Sequence, residues 1–78
     1  MTFFEAVVQG DVRYEDSVCN VKRQIFVDVL ASHCFIISIF YGGFRDRIFV
    51  KGYELLSELR RLKVLSEQEW SVYKCTMR

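Results

Sequence analysis

The stretch Phe35-Ile36-Ile37-Ser38-Ile39-Phe40-Tyr41-Gly42-Gly43-Phe44-Arg45-Asp46-Arg47-Ile48-Phe49-Val50 decides the fold. Two apolar runs flank a pair of glycines, and two glycines meet the positive-φ demand of a type I′ hairpin turn. In that register Tyr41 faces Phe44, Ile39 faces Asp46, Ile37 faces Ile48 and Phe35 faces Val50. Strand alternation then assigns Phe35, Ile37, Ile39, Tyr41, Phe44, Ile48 and Val50 to the core side, with Asp46 near the tip. Ile36, Ser38, Phe40, Arg45, Arg47, Phe49 and Lys51 take the opposite face, which mixes aromatics with three cations.

Beyond the hairpin, Gly52 is followed by Tyr53-Glu54-Leu55-Leu56-Ser57-Glu58-Leu59-Arg60-Arg61-Leu62-Lys63. Leu55, Leu56, Leu59 and Leu62 form a stripe at helical spacing among strong helix formers, which predicts an amphipathic helix. Ser66 with Glu69 three residues later has the form of a capping box and predicts a last helix through about Cys75. Trp70, Tyr73 and Met77 give that helix an apolar edge. The short Val64-Leu65 connection then makes the two helices an antiparallel or angled pair. Residues 55–74 so read resemble the two-helix hairpins of many small bacterial and phage proteins, a likeness that implies no activity.

On the N-terminal side, Thr2 with Glu5 repeats the capping-box pattern and Gly10 stands where a helix C′ residue belongs. A short helix through Phe3, Phe4, Ala6, Val7 and Val8 follows, with a strand over residues 3–8 as the competing reading. From Asp16 or Ser17 onward, Val18, Val21, Ile25 and Val29, with Phe26 and Leu30, fall on one side of a helical wheel. Asn20, Arg23, Gln24 and Asp28 fall on the other, which predicts a second helix to about Ser32. Residues 24–30 also fit a strand, because β-branched and aromatic side chains dominate them. The expected fold is therefore a small α+β domain spanning residues 1–78, with a Gly-Gly β-hairpin packed against about four short helices. The alternative is a three-stranded antiparallel meander with a C-terminal helix pair.

A chain of 78 residues, 51% of them apolar, has room for one core and enough apolar matter to build it. Proline is absent and glycine occurs four times, a composition unlike that of disordered or collagen-like chains. Eleven lysines and arginines stand against ten acids, which excludes a polybasic tail and an acidic mimic of nucleic acid. Cys19, Cys34 and Cys75 make an odd set at spacings that match no metal or redox motif, so no disulfide framework is expected. Neither a signal peptide nor a membrane span is legible: the longest apolar stretch, residues 34–41, falls short of the roughly 20 residues a span requires. A cytoplasmic, reducing compartment is the expected location.

Few constellations suggest chemistry. Tyr41-Gly42-Gly43-Phe44 matches the opening of opioid peptides, but there the tyrosine carries the free amine, and the turn explains both glycines here. His33-Cys34 lacks the further ligands of a zinc site, and adjacent residues seldom meet as a catalytic pair. Glu54, Glu58, Glu67 and Glu69 share helix faces with Arg60, Arg61 and Lys63, which suits solvated ion pairs. No catalytic, metal or cofactor site is therefore expected, and the chain reads as a non-enzyme without cofactors.

The cationic-aromatic strand face stands apart. Residues 1–33 hold three cations and five acids, whereas residues 34–78 hold eight cations and five acids. Arg45, Arg47 and Lys51 point the same way beside Phe40 and Phe49, with Arg60 and Arg61 as an extension. Such a face can bury aromatic and arginine anchors against a protein. It can also hold phosphates and stack bases, or sit under a helix with its cations at the rim. The expectation is a non-catalytic protein-binding module acting by stoichiometric contact, an inhibitor or adaptor of a larger protein or nucleoprotein complex. Small inhibitors that phages encode against host enzymes or host defence offer an analogy of size alone. The alternative is a DNA-binding regulator of helix-turn-helix or winged type, in which the second helix, with Asn20, Lys22, Arg23 and Gln24, enters the major groove. Direct nucleic-acid binding is the lesser expectation, no membrane partner is expected, and a homodimer is left open.

Overall fold

The computed structural model describes residues 12–63 and 70–72. Four antiparallel strands run in sequence order: β1 (Val12–Val18), β2 (Val21–Ala31), β3 (Cys34–Tyr41) and β4 (Phe44–Lys51). A helix, α1 (Gly52–Arg61), follows, and a three-residue strand, β5 (Trp70–Val72), pairs with β1. The sheet order is β4-β3-β2-β1-β5, so β4 forms one edge.

The hairpin forms in the register its sequence predicts, with Tyr41 opposite Phe44, Ile39 opposite Asp46, Ile37 opposite Ile48 and Phe35 opposite Val50. The turn type differs. Gly42 alone takes positive φ, at 60°, the pattern of a type II′ loop, whereas type I′ needs positive φ at both positions.

The predicted second helix is a correction: residues 16–32 complete β1, turn at Cys19-Asn20 and form most of β2. The period that wins is two. Arg23, Ile25 and Val27 face one way, while Lys22, Gln24, Phe26 and Asp28 face the other, and valine and isoleucine suit a pleated surface better than a helix. The turn that makes this possible lacks glycine: Cys19 at φ 52° and Asn20 at φ 64° both adopt the left-handed conformation a type I′ loop demands. At the other end of β2 the pairing skips Leu30, and His33 takes φ 61° in the turn before β3.

The predicted last helix is corrected as well, since Trp70–Val72 is a strand antiparallel to β1, with Val12 opposite Val72. About four helices become a single helix among the described residues, which are mostly strand. The predicted N-terminal helix, residues 3–8, lies outside the described residues, as does the Ser66–Glu69 capping box.

The C-terminal-stripe prediction over residues 53–63 holds as α1. Its start is fixed by the Glu54 carboxylate accepting the Lys51 N–H at 2.9 Å and by the Gly52 N–H donating to the His33 carbonyl at 2.7 Å. It ends where Lys63 turns left-handed at φ 57° and its N–H reaches the Arg60 carbonyl at 2.9 Å. Leu55 and Leu59 of this helix are buried with Val12, Tyr14, Ile25, Val27, Phe35, Ile37, Ile39 and Val50, all on one face of the sheet. Ile48 and Leu62 pack at the margin of that core. Leu59→Ala should therefore lower the unfolding free energy in urea by about 2–5 kcal/mol. A loss under about 0.5 kcal/mol would place Leu59 outside the core.

Candidate functional site

One helix covers one face. Among the described residues no element lies over the second face, and the register arranges its side chains in rows. Glu15, Gln24, Phe40 and Arg45 form one row, and Arg13, Phe26, Ser38 and Arg47 the next. Asp28, Ile36 and Phe49 form the third, and Cys34 with Lys51 the last. Phe26 and Phe40 meet edge to face, with ring centroids 5.6 Å apart, and the Arg45 guanidinium stands 5.5 Å from the Phe40 ring centroid. Phe49, at the edge, is 66% exposed.

Charge is distributed unevenly over this face. Glu15 accepts from Gln24 Nε2 at 2.8 Å and lies 3.8 Å from Lys22 Nζ and 3.5 Å from Arg13 Nε. The Gln24 hydrogen bond first, then the two cations, hold its carboxyl below the ordinary glutamate value. Arg13 Nε is buried and gains only this ion pair, without a hydrogen bond. On the β3–β4 side, by contrast, Arg45, Arg47 and Lys51 have no carboxylate ion-pair partner among the described residues. Ser38, Phe40, Arg45, Asp46 and Arg47 line a shallow depression of about 350 Å³ there.

The structure thus brings Phe40, Arg45, Arg47, Phe49 and Lys51 together on the sheet face opposite α1. Arg60 and Arg61 are not an extension of it: they sit on α1, which packs against the opposite face, and Arg61 pairs with Glu58 at 2.7 Å. Sequence reasoning missed Phe26, Gln24 and Glu15, whose place on this face follows once β2 is read at period two. His33 is an exposed turn residue, while Cys34 is half-buried with its Sγ 4.0 Å from Lys51 Nζ. Cys19 and Cys34 are free thiols. Among the described residues no three metal-ligating side chains gather, and no helix is long and apolar enough to cross a membrane. Comparison with protein-family models, curated proteins and solved structures finds no match.

The helix side carries the tightest polar cluster. The DNA-reading alternative placed Arg23 on a recognition helix; it lies instead on β2, and its guanidinium grips Asp16 through Nε at 2.7 Å and Nη2 at 2.5 Å. Nη1 donates to the Leu62 carbonyl at 2.6 Å, which ties the end of α1 to the sheet. Tyr14 donates to Asp16 Oδ2 at 3.0 Å, and the Arg23 guanidinium lies 5.8 Å from its ring centroid. The Arg23 hydrogen bonds, supported by Tyr14, hold the Asp16 carboxyl below its ordinary value against the opposing effect of burial. A depressed folded-state pKa stabilises the fold above the unfolded value, near about pH 4, and that stability is lost as pH falls through the folded value. Asp16→Asn should therefore cost about 1–3 kcal/mol at neutral pH, because Arg23 and Tyr14 lose a charged acceptor. In urea titrations the gap between parent and variant should narrow steadily below about pH 4. A gap independent of pH would show that the Asp16 charge contributes nothing.

Proposed function

We infer that this chain is a non-catalytic protein-binding module whose sheet face opposite α1 docks on an acidic surface of a larger protein, in the manner of a stoichiometric inhibitor or adaptor. The observation that carries the reading is the set of three cations without carboxylate partners among the described residues, Arg45, Arg47 and Lys51, beside Phe40 and the largely exposed Phe49. Arginine and aromatic side chains on a rigid element lose little conformational entropy on docking and supply most of the energy of protein interfaces. Phe40 is held by Phe26 on one side and by Arg45 on the other, so the centre of the face is already organised. The cations would meet acidic groups that water now screens, adding selectivity and speed of association more than affinity.

The test compares parent protein with the Arg45→Glu/Phe49→Ala double variant as bait in extracts of the native host, with circular dichroism to confirm that both fold. The parent should retain a protein partner, and the double variant should lose it by about tenfold or more, since anchor residues each contribute on the order of 1–2 kcal/mol. Retention should survive nuclease and fall modestly between about 50 and 200 mM salt, whereas phosphate-dominated binding falls by orders of magnitude. Binding of the variant within about twofold of the parent, well under the loss expected of one anchor, would show that this face is not the contact surface.

A further inference from the structure

The parity of the Gly42–Gly43 turn does more than sort side chains. A two-residue loop makes its flanking residues, Tyr41 and Phe44, a hydrogen-bonded pair, and such pairs alternate along an antiparallel ladder. The backbone groups of Phe44, Asp46, Ile48 and Val50 therefore point inward to β3, and those of Arg45, Arg47, Phe49 and Lys51 point outward from the sheet. Two hydrogen bonds agree with this. The Arg47 N–H donates to the adjacent Asp46 carboxylate at 2.8 Å and the Lys51 N–H to Glu54 at 2.9 Å, each bond lying outside the β3–β4 ladder. The same residues that offer ladder positions at the edge thus carry the cations and Phe49 on the face opposite α1.

We propose that β4 accepts an extended acidic segment of the partner as an added antiparallel strand, with acidic side chains at alternate positions opposite Arg45 and Arg47. This rests on the protein-binding reading above and states how the partner is held. Backbone pairing supplies the affinity common to strand addition, and the alternate side chains supply the choice of partner. Directly opposed residues in an antiparallel pair share a face, so the segment's acids would sit beside the Arg45 and Arg47 guanidinium groups, which have no carboxylate partner among the described residues. On the other face the segment meets Asp46, so its intervening residues cannot be acidic. It must also displace the Asp46 carboxylate from the Arg47 N–H, which it does with a backbone carbonyl.

Charge also excludes the simplest rival, a second copy of β4. A two-fold pairing centred on Arg47 sets Arg47 against its own copy, and one centred on Ile48 sets Arg45 against Lys51. Centring on Asp46 opposes Arg45 to Arg47, and centring on Phe49 opposes Arg47 to Lys51. Like charges directly opposite destabilise a strand pair, whereas an acidic strand converts each clash into an ion pair.

The test uses the full chain and a short blocked peptide in which glutamate alternates with valine. The expected result is saturable binding with a Kd below about 1 mM by fluorescence or NMR titration. Glutamate amides face β4 in this register and valine amides face away. N-methylation of the glutamate amides should weaken binding by about tenfold or more, and N-methylation of the valine amides by less than about threefold, since each methyl removes a ladder bond only in the first case. Replacing glutamate by lysine should weaken it by about tenfold or more. No binding at about 1 mM, equal losses from both methylation patterns, or indifference to lysine would each overturn strand addition. If the peptide fails while the Arg45→Glu/Phe49→Ala variant still loses its partner, the face reading stands and the strand mechanism falls.

Discussion

Tyr41 and Phe44 close a loop of two residues, and that closure sets a parity from which the rest of the molecule follows. With it, Phe35, Ile37, Ile39, Ile48 and Val50 point toward α1, where Leu55 and Leu59 meet them. A slip of one residue would exchange the two faces, burying arginines under the helix and exposing isoleucines to water. The cost of that exchange is far larger than any local preference, so the register is strongly specified. The same parity turns the backbone groups of Arg45, Arg47 and Phe49 to the edge. Core, charged face and open edge are three consequences of one turn.

The second constraint is arithmetic of surface. A ten-residue helix can cover one face of a sheet that has two. The face it leaves is neither a second core nor an ordinary polar surface. Its middle, Phe26, Ile36 and Phe40, is half-buried, while its β4 margin holds cations. Edge strands that carry lysine or arginine resist pairing with copies of themselves, a common protection against aggregation. Here the protection is selective by sign: under the proposed strand addition, the charges that repel a second β4 are the ones that would attract an acidic strand. On the helix side the Arg23–Asp16 pair does separate work, anchoring the end of α1 to the sheet rather than facing a partner.

What was legible in the sequence follows the same physics. The hairpin could be read because its signals agree: β-rich runs, a glycine pair and inside-outside alternation all give one register. Helix α1 could be read because its leucine stripe lies among strong helix formers. The region of β1 and β2 could not, because Val18, Val21, Ile25 and Val29 satisfy a helical wheel nearly as well as an alternation. The deciding turn, Cys19-Asn20, holds left-handed conformations without a glycine to announce them. Trp70–Val72 was hidden for another reason. Three residues carry no period of their own, and their pairing with β1 is a long-range contact that no local pattern encodes. The cationic-aromatic set on β4 was visible from alternation alone, whereas Phe26, Gln24 and Glu15 became its neighbours only when β2 was placed beside β3. Arg60 and Arg61 were misplaced because the sequence does not say which face a helix covers.

Residue-resolved amide hydrogen exchange on the free protein tests the central claim most directly, since it reads where each β4 backbone group points. An edge set by the Gly42–Gly43 parity predicts alternation along the strand. The N–H groups of Asp46, Ile48 and Val50 should exchange slowly, and those of Arg45, Arg47 and Phe49 about tenfold faster or more. Slow exchange at all six positions would mean that this edge is already paired, and it would contradict both the open strand and everything built on it.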